Sequence, residues 1–417
     1  MTSDKRYARA RVVPGHDSPT SHNSHQTCRR WLGLARGLLE QPAAPCYEEL
    51  PKAFVRAFAQ ARPALALEED AAGNLLLKYP ARVGQSSGLP REGKRGTPTL
   101  LVLLAHLDHP GFWITKATQD QAVLAFKGWI AAGHAHRGCR VRFFTSDSAQ
   151  PTGSGELAEV TEVRKRLSRA VARITSGVAH SGGFAMWDFP AFALRHGVIV
   201  ARGCDDELGV ALALCVMDEM ARRKPQGVAV WALLTRAEEA GFLGALEAIR
   251  LETVPKHARV LVLECSKAAG LASQGAGPVV RVGDRETIFD PQLSEALRQA
   301  AEELCRKPGG FKYQRKLMDG GACEATPLCA WGYRASGLAL PLGNYHNQAL
   351  TRGSPDIGPE TVRVDDFAGG VRLLVALALR PQLLDGSAGK IPQWLKVRAA
   401  AARRELARHW HPASFGF

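Results

Sequence analysis

No two of the nine cysteines in this chain stand in a CxxC pair, and their number is odd. That argues against a disulfide framework and suits a reducing compartment. Long apolar runs are lacking too: none approaches the roughly 20 residues that a membrane-spanning helix needs. The start, MTSDKRYARARVVPGHDSPTSHNSHQT, is polar, without the apolar stretch of a secretory signal. The expected location is the cytoplasm, with no membrane partner. A P-loop and a Rossmann glycine fingerprint are also missing, which removes the common nucleotide-binding classes.

Positive charge, by contrast, is plentiful. Lys and Arg number 54 against 40 Asp and Glu, a formal net charge of +14. The excess is spread out: Lys5, Arg6, Arg9 and Arg11, then Arg91, Lys94 and Arg95, and much of KVRAAAARRELARHW near the carboxyl end. No aromatic residues alternate with these charges, and no helix-turn-helix or zinc-finger spacing appears. The expectation is a solvated basic surface and no nucleic-acid partner. With 417 residues, 46% of them apolar, the chain can bury a proper core in one large domain or two.

Residues 1–26 are polar and read as disordered. Helical patterns follow in WLGLARGLLEQ and ELPKAFVRAFAQARP, and LEEDAAGNLLLKYP reads as strand, turn at Asp70–Asn74, strand. The stretch 84–98 has linker composition. TLLVLLAHLDHPGF then suits a strand buried on both faces. From 117 to 189 short alternating segments such as AVLAFKGWI and RVRFFTSD, separated by turn residues, predict an inserted small all-β domain. Afterwards helix and strand alternate again: ELGVALALCVMDEMARR, GVAVWALLT, LGALEAIRLE, ARVLVLE, PQLSEALRQAAEELCRK, YRASGLALPL and a closing helix at about 361–380. The expected fold is α/β, a mainly parallel sheet sandwiched by helices and built from 27–116 and 190–385. Residues 386–417 form a basic tail or helix.

In open α/β sheets, ligands gather beyond the carboxyl ends of the strands. The polar residues expected there are His106 and Asp108 after the first buried strand, Glu238-Glu239 after the second, Glu264 after the third and His346 in GNYHN after the fourth. Asp205-Asp206 precede the helix that begins near Glu207. This set suits two divalent ions, zinc first, with cobalt or manganese as substitutes. His106, Asp205, Glu239, Glu264 and His346 fill five ligand roles. Asp108, two residues from His106, can fix its tautomer. Glu238 is left to act as base toward the metal-held water. Each residue has a plainer reading: a core histidine for His106, a helix cap for Asp205-Asp206, an exposed first helical turn for Glu238-Glu239. HAH at 134–136 is a rival metal motif, but without a carboxylate nearby in the sequence it reads as a surface loop. Cys204 and Cys265, which flank proposed ligands, read as buried structural residues.

At this point the chain resembles a family, the M42 metallo-aminopeptidases, related to the M28 and M20 zinc peptidases. AHLDHPGF, CDDELGVALAL, TRAEEAGFLGA, VLVLECS, Tyr313-Gln314 with DGGACEA, and GNYHN carry the resemblance, which spans about 30 to 380. The long interval from His106 to Asp205, which holds the β insertion, points to M42 in particular. The resemblance implies Asp205 as the bridging ligand, Glu238 as the general base, Asp108 orienting His106, a non-proline cis peptide after Asp205, and dimers or dodecamers assembled through the inserted domain. The implied activity is removal of amino-terminal residues from peptides through a metal-bridging hydroxide. Two alternatives stand beside it: a metal-dependent N-acyl amino acid amidohydrolase, and a non-catalytic binding protein on a peptidase fold. Three departures from the family pattern stand out: His109-Pro110 and Cys323-Glu324 bear on the substrate pocket or the inserted-domain contacts, and Glu264 in place of Asp keeps a ligand but lengthens its reach.

Overall fold

The computed structural model describes residues 19–80, 99–268, 272–318, 320–385 and 393–409. At its centre is an eight-stranded sheet. In spatial order its strands are Ala66–Glu69, Leu75–Tyr79, Ala229–Thr235, Leu100–His106, Arg259–Lys267, Arg334–Leu342, Val279–Asp284 and Gln314–Met318. The four middle strands, from Ala229–Thr235 to Arg334–Leu342, are mutually parallel. Both flanks add antiparallel pairs, so the sheet is mixed.

The middle strands read as continuous apolar runs because both faces are covered. Along Leu100–His106, the side chains of Leu101, Leu103 and Ala105 enter one core, and those of Leu100, Val102 and Leu104 the other. Ala229–Leu234 divides the same way, the two-residue period of a pleated strand. The larger core is closed by the helices Pro19–Leu39, Glu207–Arg223, Pro291–Cys305 and Val364–Ala378, the smaller by Leu243–Arg250 and Ala325–Ala330. Leu103 is fully buried, so its truncation to Ala would cost about 2–5 kcal/mol.

Between the strand Leu100–His106 and the helix Glu207–Arg223 the chain builds a closed six-stranded barrel from strands spanning Gly111 to Trp187. Phe112, Phe126, Phe143 and Trp187 fill it, with Phe112 and Trp187 meeting edge to face at 4.9 Å. The barrel thus starts at Gly111, earlier than the texture change at 117 indicated, because Gly111–Ala117 pairs with Gln121–Lys127 rather than extending the central sheet. One other boundary differs. Residues 19–26 belong to the helix Pro19–Leu39, which opens on Pro19, a favoured first-turn residue. The linker 84–98 and residues 1–18 lie outside the described residues. Near the carboxyl end, Gln393–His409 is helical. Among the described residues no helix is long and apolar enough to cross a membrane.

One irregularity of the sheet makes the site. The strand Arg259–Lys267 pairs with Arg334–Leu342 along its whole length, but with Leu100–His106 only from Arg259 to Val262. Past Val262 the two strands part. Glu264 therefore lies inside its strand, three residues before its end, and not at the terminus that the apolar run suggested. It faces the crevice opened by the parting.

Candidate metal centre

The crevice gathers His106, Asp205, Glu238, Glu239, Glu264 and His346, all buried or nearly so. Asp205 is the hinge of the arrangement. Its Oδ1 lies 3.6 Å from His106 Nε2, and its Oδ2 lies 3.6 Å from His346 Nε2. Those spacings are too long for good hydrogen bonds and leave room for an ion. His346 Nε2 is also 3.0 Å from Glu239 Oε1. Ligand atoms of His106, Asp205 and Glu264 come within 4.8 Å of one another, as do those of Asp205, Glu239 and His346. A third such group joins His106 to Glu238 and Glu239, with Glu238 Oε2 3.9 Å from His106 Nε2.

Both histidines are aimed the same way. His106 Nδ1 donates to the Asp108 carbonyl at 3.0 Å and His346 Nδ1 to the Trp129 carbonyl at 2.7 Å. A carbonyl only accepts, so in each ring Nδ1 carries the proton and Nε2 is turned to the crevice. The Asp108 side chain has a different task from the one its spacing suggested. Its oxygens accept the backbone N–H groups of Glu238 at 2.9 Å and Glu239 at 3.1 Å, while Oδ1 stays 3.5 Å from His106 Nδ1. The main chain of Asp108 orients the imidazole, and its carboxylate orients the paired glutamates.

The plainer readings separate cleanly. Asp206 caps the helix Glu207–Arg223, accepting the Gly209 N–H at 3.2 Å, which leaves Asp205 free for the crevice. A side chain at 209 would sit 2.2 Å from the Asp206 carboxylate, so the cap requires glycine there. The peptide between Asp205 and Asp206 is cis. Glu238-Glu239 are not a first helical turn, since the next helix starts at Leu243. Cys204 and Cys265 are both buried.

Charge is the dominant strain on this cluster. Burial, with Glu239, Glu264 and Glu324 adding to it, pushes Glu238 well above the usual carboxylate range. Burial and Asp205 push Glu264 up to about 8. Burial alone would depress the imidazoles, but Glu238, Asp108 and Asp205 hold His106 well above its ordinary value, and Glu239 and Asp205 hold His346 up to about 9. Neither Asp205 Oδ1 nor Glu264 Oε1 accepts a hydrogen bond, an expensive state for buried oxygens. Nitrogen and carboxylate donors, crowded like charges and unpartnered oxygens together fit divalent cations.

Two residues that the strand-end reasoning missed hold this geometry. Glu360 accepts the N–H groups of Cys204 at 2.6 Å, Asp205 at 3.1 Å and His346 at 2.7 Å, gripping both sides of the site through the main chain. His109 bridges the Asp205 carbonyl and Asn347 Oδ1, and the Asn347 amide nitrogen is committed to the Arg202 and Gly358 carbonyls. Both ring nitrogens of His109 therefore face acceptors, and Glu360 and Glu207 raise its pKa against the pull of burial. Gln314, which the resemblance drew attention to, binds the loop at Ser273–Gly277. Glu324 is fully buried, and burial pushes it up to about 7.

Residues 173–353 match the family described as M42 glutamyl aminopeptidase. This match supports the resemblance to the M42 peptidases that the sequence motifs carry. The match and the aminopeptidase relatives support a peptide-bond hydrolase over the non-catalytic alternative. A curated protein of Acetivibrio thermocellus, provisionally named an aminopeptidase, is 21% identical over 310 residues, 68% of this chain and 83% of its own. Among solved structures, a TET aminopeptidase from a marine sediment archaeon, Thaumarchaeota archaeon SCGC AB-539-E09, superposes with TM-score 0.65 at 18% identity, covering 84% of this chain and 97% of that one. An aminopeptidase from Desulfurococcus kamchatkensis gives 0.64 at 19% identity, covering 87% and 99%. The Pyrococcus horikoshii TET1 peptidase, described as assembling into a tetrahedron or an octahedral shell, gives 0.62 at 20% identity, covering 84% and 99%. At these identities the structures speak for the M42 fold and no further.

Proposed function

We propose that this chain is a two-metal aminopeptidase of the M42 type. The observation that carries the proposal is the double aim of Asp205, one oxygen toward His106 and the other toward His346. His106 and Glu264 would complete one cation's protein ligands, and His346 and Glu239 the other's, with zinc suited to this donor set. When bound, such ions supply Lewis-acid polarisation of the scissile carbonyl and an acidified water.

The remaining work falls to the protein. Asp205 stays shared between the two halves because Glu360 fixes its backbone. Glu238 lies on the crevice wall beside His106 and takes the proton of the attacking water, then returns it to the leaving amine. Burial raises its pKa above the usual carboxylate range, which favours a group that can return the proton it takes. Asp108 holds Glu238 and Glu239 in register so that one binds while the other shuttles. Cleavage at the amino terminus rests on the aminopeptidase names of the relatives. Assembly into a homo-oligomer through the barrel is proposed on the same footing, and light scattering after gel filtration tests it.

The central test is Glu238→Gln in the metal-loaded protein, assayed on aminoacyl-anilides, acidic ones included, and on N-acyl amino acids. Retained metal with turnover lowered by about a hundredfold or more supports the base. Undiminished turnover sinks that assignment, and activity confined to N-acyl amino acids makes the chain an amidohydrolase.

A further inference from the structure

HAH at 134–136 is not a bare surface loop. The strands Gln348–Thr351 and Ser354–Ile357 form a hairpin that leaves the His346 loop and lies against the barrel. It brings Asp356, distant by 220 residues, to the loop that carries His136: His136 Nε2 is 3.0 Å from Asp356 Oδ1. Gly138, at φ +90° with open space around it, folds the chain back so that Cys139 Sγ accepts the His136 N–H at 3.3 Å. The ligand atoms of His136, Cys139 and Asp356 all lie within 4.8 Å of one another.

We propose that His136, Cys139 and Asp356 form a separate site for a thiophilic divalent cation, zinc by class, that fastens the hairpin to the barrel. Three features favour it. His136 Nδ1 donates to the Arg137 carbonyl at 2.9 Å, the outer bond that aims a ligating Nε2. A thiolate, a carboxylate and a neutral imidazole carry two negative charges, which one divalent ion neutralises; the thiol proton and the proton held between His136 Nε2 and Asp356 leave to solvent on binding. All three side chains are of the types that ligate zinc, and three protein ligands leave a fourth position for water.

The site lies where mechanical coupling to the catalytic crevice is short. In the same loop the Trp129 carbonyl orients His346, the Ala131 N–H binds Gln348 Oε1 at 3.0 Å, and His134 Nδ1 binds the Asp356 carbonyl at 2.9 Å. A cation at Asp356 would brace the hairpin that follows a proposed catalytic ligand.

The catalytic crevice offers no thiolate among its proposed ligands, which makes the two sites separable by spectroscopy. In the full-length protein loaded with Co²⁺, a near-ultraviolet thiolate-to-cobalt charge-transfer band is expected. Cys139→Ser should abolish the band and lower bound metal by about one equivalent, whereas Glu239→Gln should keep the band. Should Cys139→Ser fail to fold, His136→Ala, at a side chain 51% exposed, should give the same loss of metal. No band in the unsubstituted protein, or a band and metal count unchanged by these substitutions, overturns the site and leaves the catalytic reading untouched.

Discussion

Glu360→Gln tests how the crevice is held. In the native protein Oε2 accepts from Cys204 and Asp205, and Oε1 accepts from His346. A glutamine has one acceptor oxygen. If that oxygen serves Cys204 and Asp205, its NH₂ group meets the His346 N–H, donor against donor, where 2.7 Å now separates donor from acceptor. One charge-assisted bond is lost and a buried N–H is orphaned, a cost of about 2 kcal/mol. Because His346 must move to relieve it, much of that cost should appear in metal affinity, as roughly a 30-fold loss. Competition against a calibrated chelator measures the affinity, and urea unfolding of the metal-free protein measures the fold separately. Metal affinity equal to that of the unsubstituted protein would refute the claim that Glu360 positions the site.

Three further outcomes follow from the same geometry. Asp108→Asn removes one of the two oxygens that hold Glu238 and Glu239, so kcat should fall about tenfold or more while the protein stays folded, read by steady-state kinetics and circular dichroism. Gly209→Ala drives a Cβ into the Asp206 cap and should destabilise the metal-free protein by about 2 kcal/mol in urea titration, whereas Gly33→Ala, with open space at its Cβ position, should not. Chelation should abolish peptidase activity and lower the melting temperature, and zinc at a thousand times its dissociation constant should restore about 4 kcal/mol.

Much of the fold was legible because its signals are local. LLVLLAH and AVWALLT are apolar on both faces, which only a covered parallel strand tolerates, and both prove to lie at the centre of the sheet. The crevice was legible for a related reason: His106, Glu238 and Glu239 follow directly on such strands, and Asp205 precedes a long helix. Glu264 was read one step wrongly, as a strand end, because where its strand parts from Leu100–His106 depends on the neighbour and leaves no trace in VLVLECSK.

What sequence could not carry is the layer that holds the ligands. Glu360 grips backbone amides of residues 155 and 14 positions away, and backbone amides have no sequence identity. His109 looked like a departure from the family pattern. In place it is a buried cation-like bridge between the Asp205 carbonyl and Asn347, set among Glu207 and Glu360. Its substitution therefore acts first on the carbonyl side of Asp205. The same holds for HAH: its carboxylate arrives on a hairpin that no local pattern connects to it. Residues that donate to or accept from main chain act only through the register of the fold, so which side chains converge on the crevice can be read from strand ends while the structure that aims them cannot.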